Sequence, residues 1–284
     1  MNKFKGVWPT ALVVARFMLF SVFINNAMAA PEYRERLSDK NWSSSINQDD
    51  ISAEVEFGRS VAARLLAHYP LLDDLRWTKY VNLVGHALAR NANRQEIEFH
   101  FGILDTPMVN AFAAPGGYIF ITRGALALAH DEAELAAILA HEIAHVTERH
   151  IVKALNIRGR ETQTGAGLSR LIGGVSDPAR VAFSQAADKA VEILLKEGLD
   201  KRSELEADRI ALTLAAMSGY DSGAFARYFK RLRENTKGNI AIDATHPPLD
   251  SRIAALTETE SSMGLAELHN PTLKERFNEA VGFR

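Results

Sequence analysis

Apolar residues recur at helical spacing over residues 51–66 (Val55, Val61, Leu65) and again over about 77–89, which predicts two helices. The period then changes. Ile97, Phe99, Phe101 and Ile103 alternate with Glu98, His100 and Gly102, the two-residue repeat of a half-buried strand. The stretch "VNAFAAPGGYIFITRG", residues 109–124, follows. Its Pro115-Gly116-Gly117 divides it into an extended segment and a β-rich segment, 118–122. Beyond this point the pattern is helical almost throughout. Asp131 stands where an N-cap is needed and Glu134 at the capping-box position, for a helix running to about residue 156. Further helices are predicted over 184–196 and about 200–217, with a short one in the tail, 270–284. Between residues 159 and 174 lie five of the chain's 18 glycines, so 159–183 is predicted to be a mobile lid or a partner-contacting loop. No internal repeat is present.

The first 29 residues differ in kind. Lys3, Lys5 and Arg16 precede an apolar run, 17–24, and the small-residue exit Asn25-Asn26-Ala27-Met28-Ala29. This order predicts a secretory signal cleaved after Ala29, because Arg16 leaves too little apolar length to span a bilayer. Residues 30–50 are polar and aperiodic, a surface leader, and 51–284 form the folded domain. With 33 basic and 35 acidic residues the net charge of −2 gives no reason to expect nucleic acid. The chain has no cysteine. An exported protein of this composition has no disulfides, no thiolate ligand or nucleophile, and no cysteine for a lipid anchor.

The chemistry centres on His141-Glu142-Ile143-Ala144-His145. Residues four apart on a helix project from one face about 6 Å apart along the axis, so both imidazoles can reach one Zn²⁺. Glu142 lies one position round and suits the proton-accepting role of H-E-x-x-H peptidases. The motif alone is weak, since helices often carry such residues. Leu135, Ile138, Leu139, Ile143 and Val146 make this helix a buried one, where polar groups need partners. A catalytic zinc needs a third ligand and an open position. The metzincin pattern is excluded by Glu148 and Ile151, and His150 is expected on the face opposite His141. Glu204 and Asp208, at i and i+4 in "SELEADRIALTLAA", are the remaining candidates: Glu204 as ligand, Asp208 as the acceptor that orients a liganding histidine. A solvated acidic face is the competing explanation.

H-E-I-A-H followed some sixty residues later by E-L-E-A-D resembles metallopeptidase family M48, gluzincins of the HtpX and CAAX-prenyl-protease type. "NAFAAPGGYIFITRGAL" and "THPPLDSRI" resemble that family's upstream strand and downstream His-Pro…Arg motif. The likeness extends over about 51–253, and lies nearer the periplasmic branch than the membrane-embedded one. It implies an α+β, mostly helical, thermolysin-like metalloprotease domain with one small sheet. It carries over His141, His145 and Glu204 as ligands of one Zn²⁺ per chain, Glu142 as catalytic base, and His246 and Arg252 as catalytic candidates. His246 is expected either to latch the open zinc position or to assist catalysis, and Arg252 to stabilise developing negative charge. Asn110, Ala111, Phe112, Ala113 and Ala114 are expected to form an edge strand that pairs with an extended substrate, Gly116 and Gly117 ending the pairing with a bulge; a plain hairpin is the alternative. The activity so implied is a periplasmic zinc endopeptidase acting on unfolded or misassembled envelope polypeptides, in contact with outer-membrane assembly machinery or the membrane surface. The alternative is a chaperone-like protein that holds clients on the same strand edge with little proteolysis.

Overall fold

The computed structural model describes residues 48–156, 177–235 and 246–282. The expected signal peptide, the leader as far as residue 47 and residues 159–176 of the expected loop lie outside them. All described residues belong to one unit.

Helix α1 (Gln48–His68) and helix α2 (Leu75–Ala89) occupy the segments whose apolar spacing predicted them. Asp74 starts α2 by accepting from the Trp77 amide at 3.0 Å. Strands β1 (His100–Leu104), β2 (Ala111–Ala114) and β3 (Tyr118–Thr122) form a sheet in the order β1-β3-β2. β1 runs parallel to β3 and β2 antiparallel to it, so β2 is an edge. The alternation at Ile97 and Phe99 does mark buried residues, but the ladder begins only at His100, opposite Tyr118, where β3 supplies a partner. Pro115–Gly117 forms a 3-10 turn between β2 and β3, a tight hairpin connection in place of the expected bulge. Gly116 takes φ 70° there, and a Cβ on Gly58 of α1 would lie 1.7 Å from the Pro115 oxygen. Turn and helix therefore touch backbone to backbone, which glycine alone allows.

The connection from β1 to β2 crosses the end of β3 and is fastened by Thr122. Its hydroxyl donates to the Met108 carbonyl at 2.6 Å, its amide to Asn110 O at 3.0 Å, and its Oγ1 also caps α3 (Arg123–Leu128) at the Ala125 amide. This fixes where β2 begins.

Helix α4 (Glu132–Thr147) opens at Asp131, whose carboxylate accepts from the Glu134 amide at 2.9 Å. Glu134 reaches back to the His130 amide at 2.8 Å, one residue beyond the N-cap amide of the expected reciprocal box. Every residue of α4 is buried. The helix ends nine residues before the expected 156. Arg149 adopts a left-handed conformation (φ 56°, ψ 36°), and a separate short helix α5 (His150–Ala154) follows.

Helix α6 (Asp177–Glu192) begins inside the segment expected to be loop and closes in a π turn, Ile193–Glu197. Helix α7 (Lys201–Met217) is capped by Asp200 on the Ser203 amide at 3.0 Å. Helices α8 (Ala224–Asn235), α9 (Leu249–Ser262) and α10 (Lys274–Val281) complete the described chain. The fold is thus α+β and mostly helical, with one small sheet. The largest core cluster joins α2, the sheet, α4, α7 and α8. Leu135, Leu139 and Ile143 are wholly buried, worth roughly 1.5–3 kcal/mol each in removed apolar surface. Buried alanines on the two helices (Ala137, Ala140 and Ala144 on α4; Ala207, Ala211 and Ala215 on α7) keep side-chain bulk low where α4 packs against α7.

Candidate metal centre

The close approach of α4 and α7 sets the position of every polar group that follows. His141 and His145 project from one face of α4 with Nε2 atoms 2.9 Å apart. From α7, Glu204 brings one carboxylate oxygen to 3.7 Å from His141 Nε2 and the other to 3.5 Å from His145 Nε2. All three residues are buried. Ligands held about 2.05 Å from a tetrahedral zinc stand roughly 3.3 Å from one another, and the three observed separations bracket that value. Burial drives the His145 pKa well below its ordinary value, helped by His141, so its ring is neutral. Two imidazole nitrogens and a carboxylate converging on one point are donors that a divalent metal takes. The donor set fits a divalent metal.

Asp208, one turn beyond Glu204, lies 3.0 Å from His141 Nδ1 and accepts two hydrogen bonds from Arg252, at 2.8 and 2.6 Å. Burial opposes ionisation of Asp208, but Arg252 and His141 hold its pKa down at about 2. The Arg252 guanidinium, at the start of α9, is buried 4.3 Å over the Phe229 ring. Its remaining nitrogen is 3.6 Å from Glu204, and one of the Asp208-bound nitrogens is 3.5 Å from His141 Nε2. Burial raises the Glu204 pKa, but His246, His145 and His141 outweigh it and hold the group ionised. Glu142 points into the same space. Burial and the Glu204 charge push its pKa up to about 8, with Arg252 opposing.

His246 stands with Nδ1 2.7 Å from a Glu204 oxygen and lines two cavities that meet at Glu142. One is walled by Ile151, Ile193, Leu194 and Leu199; the other by Phe225, Tyr228, Phe229 and Leu249. Asn110 and Ala111 of the β2 side border both. Asn110 is fastened to Thr122 through both backbone groups, which makes it a hydrogen-bonded pair. The ladder alternates from there, so the backbone N–H and C=O groups of Ala111 and Ala113 point away from β3. Phe112 and Ala114 instead bond β3.

The residues matched by the model of Peptidase family M48 are 76–260, which contain all of this site. The chain belongs to that family. A beta-barrel assembly-enhancing protease of Escherichia coli (strain K12) is 30% identical over 213 residues, and its counterpart in Yersinia pestis 31% over 211. In each case the match covers 72% of this chain and 43% of the relative. The mitochondrial metalloendopeptidase OMA1 of Schizosaccharomyces pombe is 27% identical over 188 residues, covering 64% of this chain and 52% of OMA1. This chain therefore spans less than half the length of the bacterial relatives. No helix among the described residues is long and apolar enough to cross a membrane.

Three features of the site are not foreshadowed by the sequence pattern. Phe225 and Phe229 on α8, which floor the Arg252 position, carry no motif. Ile193 and Leu194 lie in a π turn that periodicity does not reveal. His150 does not face away: its Nδ1 is 2.9 Å from His145 Nδ1, because the helix breaks at Arg149.

Proposed function

We propose that the chain is an exported zinc-dependent endopeptidase that cleaves unfolded or stalled polypeptides of the cell envelope. The convergence of His141, His145 and Glu204 at zinc-compatible separations carries the reading. Zinc, when bound, supplies Lewis-acid polarisation of the scissile carbonyl and acidifies water. Glu142, beside the ligands, takes the proton from the attacking water and delivers it to the leaving amide nitrogen. Asp208 orients His141, and Arg252 holds Asp208 while adding positive charge where the oxyanion develops. An extended client adds to the β2 edge at residues 110–114, and its side chains enter the two apolar cavities. A site that reads backbone and apolar side chains suits clients whose core residues are exposed.

His246 acts as a latch. Resting on Glu204 between both cavities, it stands where substrate must pass, and it leaves before cleavage. The export-like first 29 residues and the names of the bacterial relatives support a periplasmic setting near outer-membrane assembly.

Glu142→Gln should retain one zinc per chain and the wild-type circular dichroism spectrum while losing cleavage of reduced, unfolded casein by at least about 10²-fold. Wild-type turnover by that variant refutes the mechanism. His246→Ala should cleave faster than wild type; a large fall in rate assigns His246 to the chemistry and not to a latch.

A further inference from the structure

Arg149 occupies the left-handed region, where a long side chain is rare and where neither glycine nor asparagine has been supplied. Its side chain makes a tertiary contact. The buried Arg149 Nε lies 2.9 Å from Glu54 Oε2 on α1, and Arg94 grips the same carboxylate with two contacts of 3.3 Å. On an unbroken helix residue 150 would stand about 140° round the axis from residue 145. The break turns it back. His150 is buried with its ring edge-on to His145, centroids 5.0 Å apart, the two Nδ1 atoms separated by 2.9 Å. Its Nε2 faces Glu206 Oε2 at 3.5 Å.

One proton must sit between the two Nδ1 atoms. A neutral His145 that offers Nε2 to a metal carries its proton on Nδ1. We infer that His150 is a positioning residue: its Nδ1 accepts from His145 Nδ1–H and so fixes the metal-binding tautomer, while its own Nε2–H is directed to Glu206. The Arg149–Glu54 pair sets the break that delivers it. His141 is oriented by a carboxylate, Asp208; His145 is oriented by an imidazole.

This assignment rests on the zinc reading, and its test is separable from it. In metal-free wild-type protein with ¹⁵N-labelled histidines, long-range ¹H–¹⁵N spectra should show His145 protonated on Nδ1 and His150 on Nε2. The opposite tautomer at His145 overturns the inference, and the spectra require no variant to fold. Zinc affinity, measured by competition with a chromogenic chelator, should fall about 10–100-fold in His150→Leu. It should recover most of that loss in His150→Asn, whose side-chain oxygen can stand near the lost Nδ1. Affinity unchanged in His150→Leu, or equally poor in both variants, overturns it as well. A wild-type chain that takes up no zinc refutes the metallopeptidase reading instead, and the tautomers still decide this one.

Discussion

Removing the Glu54 carboxylate should destabilise the protein out of proportion to the few atoms lost. Glu54 is wholly buried on α1 and serves two buried arginines, Arg94 and Arg149, whose side chains are 1% and 6% exposed. In Glu54→Ala, Arg94 keeps an ion pair with Glu96, which is partly exposed. Arg149 loses the carboxylate it faces and becomes a buried cation with no other counter-charge among the described residues. Breaking a buried pair from one side costs about 3–5 kcal/mol, far more than an exposed pair. With a urea dependence of about 3 kcal/mol/M, the denaturation midpoint of the metal-free protein should fall by roughly 1–2 M. A second substitution distinguishes electrostatics from lost packing. Glycine at 149 removes the stranded charge and accepts the left-handed backbone. Glu54→Ala with Arg149→Gly should therefore be less unstable than the two single changes predict, by about 1–3 kcal/mol. A midpoint shift under about 0.3 M, or strict additivity in the cycle, would show that the ion pair is not what holds the break.

Two further outcomes probe the site. Ala113→Pro removes an amide that points away from β3, so the hairpin should survive with its zinc while KM for unfolded casein rises about tenfold or more; unchanged KM sinks β2 as the client-pairing edge. Zinc at a thousandfold excess over its Kd should stabilise the wild type by about 4 kcal/mol, a Tm rise of roughly 8–16 °C that chelator reverses. Glu204→Gln should show little of that rise, and an equal rise in the variant means that Glu204 is not a ligand.

What the sequence made legible is what local chemistry determines. Asp131 was readable as a helix start because a cap needs only a short side chain and an amide two or three residues on. The segment 118–122 and the Gly-rich turn before it were readable from alternation and punctuation. The pairing of Glu204 with His141 and His145 was suggested by spacing and by resemblance, and only the α4–α7 packing puts numbers on it. Illegible features have distant causes. Nothing between Thr147 and His150 announces a left-handed residue, and the carboxylate that Arg149 faces, Glu54, lies on another helix. The start of β1 depends on where β3 offers a partner, and the aromatic floor under Arg252 depends on how α8 lies against α9.

The distribution of buried charge separates the catalytic reading from a holding one. Glu142, Glu204 and Asp208 are buried around His141, His145 and the Arg252 guanidinium, with His246 against Glu204. With the three carboxylates ionised and the imidazoles uncharged, that group carries two negative charges in excess, and desolvation makes this costly. The strain shows in Glu142, the one carboxylate of the three whose pKa is pushed up, to about 8, by burial and by Glu204. On the proposed reading, a divalent cation at the convergent donors would supply the missing charge and, by the same Coulomb attraction, would draw Glu142 back toward the ionised form that a base requires. A module that only held clients would need the β2 edge and the apolar cavities, and three carboxylates beneath them would cost stability without any use. A bound metal and a proton to be moved would account for their burial, which is why zinc binding and the Glu142→Gln result bear on the same arrangement.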